Sequence, residues 1–175
     1  MTARPGVLLL APLLALGCPG VVPEEVAEEP AAEWAPPAPD FSLRDLDGNQ
    51  VTLETLRGRV VVIDFWATWC APCVFQIPVL NAFAAAHATE GVTVLGISVD
   101  ADGQEAVRAF AEQHGIAYPV LLGDESLARQ FGAVGFPSLF VVAPDGTLDS
   151  SHVGIVEAAT LEAALSRARQ RPEGA

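Results

Sequence analysis

Arg59 to Trp66 reads Arg-Val-Val-Val-Ile-Asp-Phe-Trp, and Cys70 and Cys73 follow within seven residues of its end. The run is almost unbroken in apolar and β-branched residues, so it predicts a central strand covered on both faces. Such a strand needs a layer on each side, which commits the chain to an α/β layer fold. Val74 to Ala88 comes next, with Ile77, Leu80, Asn81, Phe83, Ala84 and His87 marking successive helical turns. The two cysteines therefore fall at a strand-to-helix junction.

The remaining elements agree with that class. Phe41 to Leu43 and Val51 to Leu53 flank Asp47-Gly48, a hairpin signal. Val92 to Val99 predicts a second buried strand and Val120 to Leu122 a short one. Gln104 to His114 reads as a helix closed by Gly115, and Ser126 to Phe131 as a short helix ended by Gly132. Ser138 to Ala143 and Thr147 to Val153 read as strands joined by the turn sequence Pro144-Asp145-Gly146. Glu157 to Arg169 is a closing helix, acidic first and basic last, as the macrodipole prefers. The last hairpin makes the expected sheet mixed.

The N-terminal segment reads differently. Arg4 is the sole charge before Glu24, and Val7 to Gly17 is nearly all apolar. Eleven residues are too few for a span, which needs about 20. Residues 1–17 are expected to be a secretory signal. Leu14-Ala15-Leu16-Gly17-Cys18 resembles a bacterial lipoprotein signal, with Ala15 where that pattern usually has Leu. The resemblance implies a mature chain beginning at lipidated Cys18 and held to a lipid membrane; an ordinary signal peptide with an unmodified Cys18 stays open. Residues 18–39 hold five prolines after Val21 and five glutamates, an acidic Pro/Glu-rich tether that should be extended. Residues 40–175 form the expected domain.

Charge and cysteine count exclude several functions. All nine basic residues are Arg, against 22 acidic residues, for a net charge of −13. The tether carries −5, the domain −9 and Arg4 the remaining +1. No nucleic-acid partner is expected, because nothing supplies a positive footprint. Cys18, Cys70 and Cys73 are too few for a disulfide framework.

Cys70 and Cys73 at a helix start carry the chemistry. Free amide groups and the helix dipole stabilise a thiolate there, and only the thiolate attacks a disulfide. Cys73 lies one turn along, where its sulfur can resolve a mixed disulfide. Pro72 suits a first turn, where its missing N–H costs little. A zinc site needs four ligands, and His87, His114 and His152 show no paired spacing. A purely structural disulfide stays open, although its short loop gives little entropic stabilisation. No metal or cofactor is expected.

Val60 to Cys73 (Val-Val-Val-Ile-Asp-Phe-Trp-Ala-Thr-Trp-Cys-Ala-Pro-Cys) resembles thioredoxin-fold proteins. Pro39-Asp40-Phe41-Ser42-Leu43, Asp47-Gly48 and Leu56-Arg57-Gly58 resemble the TlpA/ResA branch of extracytoplasmic thiol–disulfide oxidoreductases, and Gly135-Phe136-Pro137-Ser138 continues the likeness. The resemblance implies a thioredoxin fold with an added N-terminal β-hairpin and an inserted helix–strand segment from Asp102 to Leu122. It implies that Cys70 is the exposed nucleophile and Cys73 the resolving thiol. It makes Pro137 a cis-proline beside the disulfide and the Phe136 backbone a site for an extended substrate segment. Trp69, Ala71 and Pro72 would line the same substrate surface. It also implies a disulfide-bearing protein substrate, often in cytochrome c or oxidase maturation, and a membrane thiol-reducing partner of the CcdA/DsbD kind.

Asp64 stands six residues before Cys70, where thioredoxin has a buried acid that accepts the resolving thiol's proton. An acid inside an apolar strand needs a role or a partner, and desolvation suits it to general-base work on Cys73. A polar edge or an Arg partner stays open. TlpA/ResA relatives often have a neutral residue there and a Glu three after the second cysteine; here that later position is Gln76, whose change to Ala is expected to do little to resolution of the mixed disulfide. Thioredoxin's acid has a lysine neighbour on the next strand, aligned here with Gly96, and this chain has no Lys. Trp66 is expected in the core and Trp69 at the site surface. Ala71-Pro72 offers no His or charge to stabilise a strongly oxidising pair, so a mild or reducing couple is expected. Two other classes stay open. A peroxiredoxin-like peroxidase needs a Thr three before its reactive cysteine, where Cys70 precedes Cys73. A copper-delivery module needs a well-placed His.

Overall fold

The computed structural model describes residues 35–101 and 103–171. Cys18, Trp34 and Asp102 lie outside the described residues, as do the expected signal and most of the expected tether.

The hairpin strands β1 (Ser42–Asp45) and β2 (Gln50–Thr52) open the fold. A short 3-10 turn, Glu54–Leu56, leads to β3 (Val60–Trp66), α1 (Cys73–Ala86) and β4 (Val92–Ser98). Then come α2 (Gln104–His114), β5 (Val120–Leu122) and α3 (Glu125–Phe131), followed by β6 (Ser138–Val142), β7 (Leu148–Val153) and α4 (Ala158–Ala168). One seven-stranded sheet runs β2-β1-β5-β4-β3-β6-β7. β3, β4 and β5 are parallel, while the outer pairings are antiparallel. This is the mixed thioredoxin-like α/β sheet with its added hairpin and inserted α2–β5 segment.

All seven residues of β3 are buried, as expected of a strand between two layers. Alternation sends Val61, Ile63 and Phe65 to one face, where the Phe65 ring meets Phe131 at 5.3 Å and Phe140 at 5.8 Å. Val60 and Val62 pack on the other face with Leu80 and Phe83 of α1 and Leu161 and Leu165 of α4. Asp64 and Trp66 follow that second alternation. Gly115 closes α2 at φ 64°, a left-handed conformation that glycine adopts without penalty.

The tether expectation gives way before residue 39. Pro37 bridges Thr147, the Leu148 N–H donates to the Pro36 carbonyl at 2.9 Å, and the Ala38 N–H donates to Gly146 at 2.9 Å. Prolines lack the donor but keep the acceptor, so Pro36 can still pair through its carbonyl. Ala38 retains 7 % exposure and belongs to the core. α1 begins at Cys73 rather than Val74 and ends at Ala86. Among the described residues no helix is long and apolar enough to cross a membrane.

Candidate active site

β3 delivers the chain to the site, and a polar latch fixes where it leaves the sheet. The Val99 N–H donates to the Trp66 carbonyl at 2.9 Å. The Thr68 N–H donates to both Asp100 carboxylate oxygens at 3.1 and 3.0 Å, and its hydroxyl donates to the same group at 2.5 Å. Ser98 donates to Asp100 at 2.7 Å. Hydrogen bonds to a charged acceptor are the strong ones, so this latch anchors the segment that carries the cysteines. Two tight turns follow, Cys70 N–H to Ala67 carbonyl and Cys73 N–H to Cys70 carbonyl, each at 3.1 Å.

Cys70 and Cys73 are joined as a disulfide, with Cα atoms 5.4 Å apart. Cys73 is the first residue of α1, and Pro72 before it already has helical angles. No side chain caps α1 and its first turn holds no acidic residue, so nothing of its own competes for the positive helix end. Cys70 retains 4 % exposure and Cys73 2 %, so in the disulfide state the expected contrast between an exposed nucleophile and a covered partner is small. Ala71 and Pro72 are exposed beside them.

The Phe136–Pro137 bond is cis. Trp69, 62 % exposed, meets Phe136 edge-on with ring centroids 5.8 Å apart. The neighbour of Cys70 thus touches the neighbour of Pro137. The Pro137 carbonyl accepts from Gly154 at 2.8 Å, and no hydrogen bond among the described residues uses the Phe136 backbone. Phe75, Val134 and Ile155 are further exposed apolar side chains on segments that adjoin these residues in sequence. Trp66 is buried and stacks on Phe110 of α2 at 5.0 Å.

Asp64 is 2 % exposed and stands in register with Gly96 on β4 and Leu139 on β6. Burial pushes its carboxyl well above the usual carboxylate range. Neither a polar edge nor an Arg accounts for it: the site is closed, and Oδ1 has no partner among the described residues. Gly96 does lie opposite Asp64, as the alignment implied.

Gln76 has a structural place. It is fully buried, donates to the Val156 carbonyl at 3.2 Å and accepts the Val156 N–H at 2.7 Å. It therefore clamps α1 to the segment between β7 and α4. Sequence reasoning also missed the Thr68–Ser98–Asp100 latch, although a carboxylate just after a buried strand was a usable signal. Tyr118 was missed as well, and nothing in its local sequence marked it.

The AhpC/TSA family model matches residues 35–151. The thiol–disulfide oxidoreductase ResA of Bacillus thuringiensis is 31 % identical over 132 residues, 74 % of this chain and 75 % of that protein. The thioredoxin-like protein YneN of Bacillus subtilis is 28 % identical over 129 residues, 73 % of this chain and 76 % of its own. Among solved structures, a putative thiol:disulfide interchange protein DsbE from Chlorobium tepidum superposes with a TM-score of 0.70 at 31 % identity. That match covers 77 % of this chain and 96 % of the other.

Proposed function

Because the chain belongs to the AhpC/TSA family and is a thiol–disulfide oxidoreductase of the ResA/DsbE type, we propose that it reduces protein disulfides outside the cytoplasm. The observation that carries this reading is the Cys70–Cys73 pair at the uncapped start of α1, next to exposed Trp69.

In the dithiol form the Cys70 thiolate attacks one sulfur of a substrate disulfide. A Cys70–substrate bond forms, and the other substrate sulfur leaves as a thiolate that takes a proton. Asp64 removes the proton of Cys73, whose sulfur then attacks Cys70. The substrate's second sulfur leaves, and two electrons have passed from the Cys70–Cys73 dithiol to the substrate. A buried carboxyl whose pKa is pushed upward by desolvation suits this step, since a raised proton affinity makes it a better base than an ordinary carboxylate. Trp69, Ala71, Pro72 and Phe136 bind an extended substrate segment, with Pro137 shaping the site. The neutral Ala71-Pro72 dipeptide supports the reducing direction. A membrane thiol-reducing partner of the CcdA/DsbD kind restores the dithiol. The signal-like run from Val7 to Gly17 supports the location, and Cys18 supplies a lipid anchor. Substrates in cytochrome c or oxidase maturation fit this setting.

Cys73→Ser tests the mechanism by freezing the mixed disulfide at Cys70. Expressed in its own host, it should yield a covalent partner that dithiothreitol releases; recovering none counts against the reductase reading. The wild type should reduce insulin, and peroxide consumption without insulin reduction would favour a peroxidase. Intact mass of the membrane fraction should show a lipid increment on Cys18, which an unmodified N-terminus elsewhere would contradict.

A further inference from the structure

Asp64 Oδ1, the Trp66 indole N–H and the Tyr118 hydroxyl are each buried without a hydrogen-bond partner among the described residues. The large majority of buried side-chain polar atoms find a partner, so three such atoms in one neighbourhood call for a physical reason. They do share a neighbourhood. Asp64 stands opposite Gly96, and Trp66 lies two residues further along the same face of β3. A Cβ on Gly96 would come 2.9 Å from Trp66 Nε1 and 3.0 Å from Tyr118 Cε2. Both rings therefore lean over the one residue of β4 that has no side chain, beside the carboxyl. Tyr118 is held there by the bond from the Gly96 N–H to the Pro119 carbonyl, 2.9 Å. The Asp64 charge is close enough to push the Tyr118 hydroxyl upward, second to burial.

The chemistry of the three is complementary. A carboxylate only accepts, an indole only donates, and a tyrosine at neutral pH donates. Other charges are directed elsewhere. α1 carries no charged residue, and Arg108 of α2 is turned to the Leu46 carbonyl and Asp47. His114 stacks on Phe110, and Glu105 and Glu112 are exposed on α2. Arg167 of α4 pairs with Asp149 and Glu162 with His87. Across the sheet, His152 stands opposite Leu139, which separates it from Asp64.

We infer that Trp66 and Tyr118 are the donors that receive the Asp64 carboxylate when it ionises, and that they thereby set its strength as a base. They occupy the side of Asp64 where a lysine would otherwise project from Gly96. The bond forms as the carboxyl loses its proton, directly or across one water. Trp66 and Tyr118 are positioning residues that act through Asp64, so the inference rests on Asp64 being the base for Cys73.

The test is a carboxyl 13C NMR titration of the reduced protein, with the Asp64 signal assigned by its loss in Asp64→Asn. Tyr118→Phe removes one oxygen and keeps the ring. Its Asp64 midpoint should move to higher pH. Single-turnover resolution of a mixed disulfide at pH 7 should slow about tenfold and recover as the pH is raised, the sign expected when a base loses a donor. Trp66→Phe should move the midpoint in the same direction. A midpoint unchanged or lowered in Tyr118→Phe overturns the inference. The base reading fails separately, by equal resolution rates in Asp64→Asn and wild type.

Discussion

Asp64→Asn should make the folded protein more stable at neutral pH, although it removes a functional group. In the unfolded chain an aspartate ionises near pH 3.9. In the fold, burial holds the Asp64 carboxyl in its neutral form to a much higher pH, with desolvation the cause. Between those two values the native state binds one proton more than the unfolded state. Stability from this group is therefore fully present below the unfolded pKa and is lost as the pH rises towards the folded one. The loss is about 1.4 kcal/mol for each pH unit in that window. That is large against a total of about 5–15 kcal/mol for a typical domain. Asn has the same shape and never ionises, so the variant escapes the loss. The assay is urea unfolding of the oxidised wild type and Asp64→Asn from pH 4 to 8, with the disulfide intact so that neither thiol titrates. Other titrating groups are shared and cancel in the difference. The difference should grow steadily as the pH rises above 4, for as long as the pH stays below the folded value. A difference flat across the whole range would mean that Asp64 titrates normally in the fold, and would remove the physical basis for its role as a base.

Gln76→Ala should lower unfolding free energy by about 2–4 kcal/mol in the same urea assay, since it opens a cavity and leaves both Val156 backbone groups unpaired. Trp69→Ala should cut kcat/KM for a protein disulfide about tenfold while sparing a small aromatic disulfide, if the exposed ring with its Phe136 contact serves as the proposed recognition surface and takes no part in the electron transfer. His87 is held above its ordinary pKa by the hydrogen bonds its ring N–H groups donate to Glu162 first and then Glu90. Its stabilisation is present below about pH 6.5 and fades as the pH rises through the higher folded value. His87→Gln should therefore lower Tm more at pH 5.5 than at pH 8.5.

Sequence and structure agree where periodicity and punctuation act locally. The apolar β3 run, the helical spacing after Cys73 and the glycines closing α2 and α3 are properties of short windows. The cysteine pair was legible for the same reason, because its chemistry follows from a strand ending and a helix beginning. What was not legible depends on partners distant along the chain. Gln76 looked like a neutral stand-in for an acid, and its bonds reach Val156, eighty positions away. Thr68 gains its partner only because β3 and β4 lie side by side. Tyr118 sits in no motif, and only the closeness of β5 to β4 brings it over Gly96. The missing lysine was visible as an absence; the two aromatic donors near its place were not.

The pairing of Pro36 to Ala38 with the β6–β7 turn gives the molecule a direction. β6 starts at Ser138, next to the cis-proline, and ends four residues later at Val142, near the turn that receives Pro36, about 14 Å away at the rise of a strand. The chain therefore enters the fold at the pole opposite the disulfide. The Pro36–Ala38 pairing and the cysteine pair thus lie at opposite ends of β6, so the residues paired at one pole leave the other uncovered.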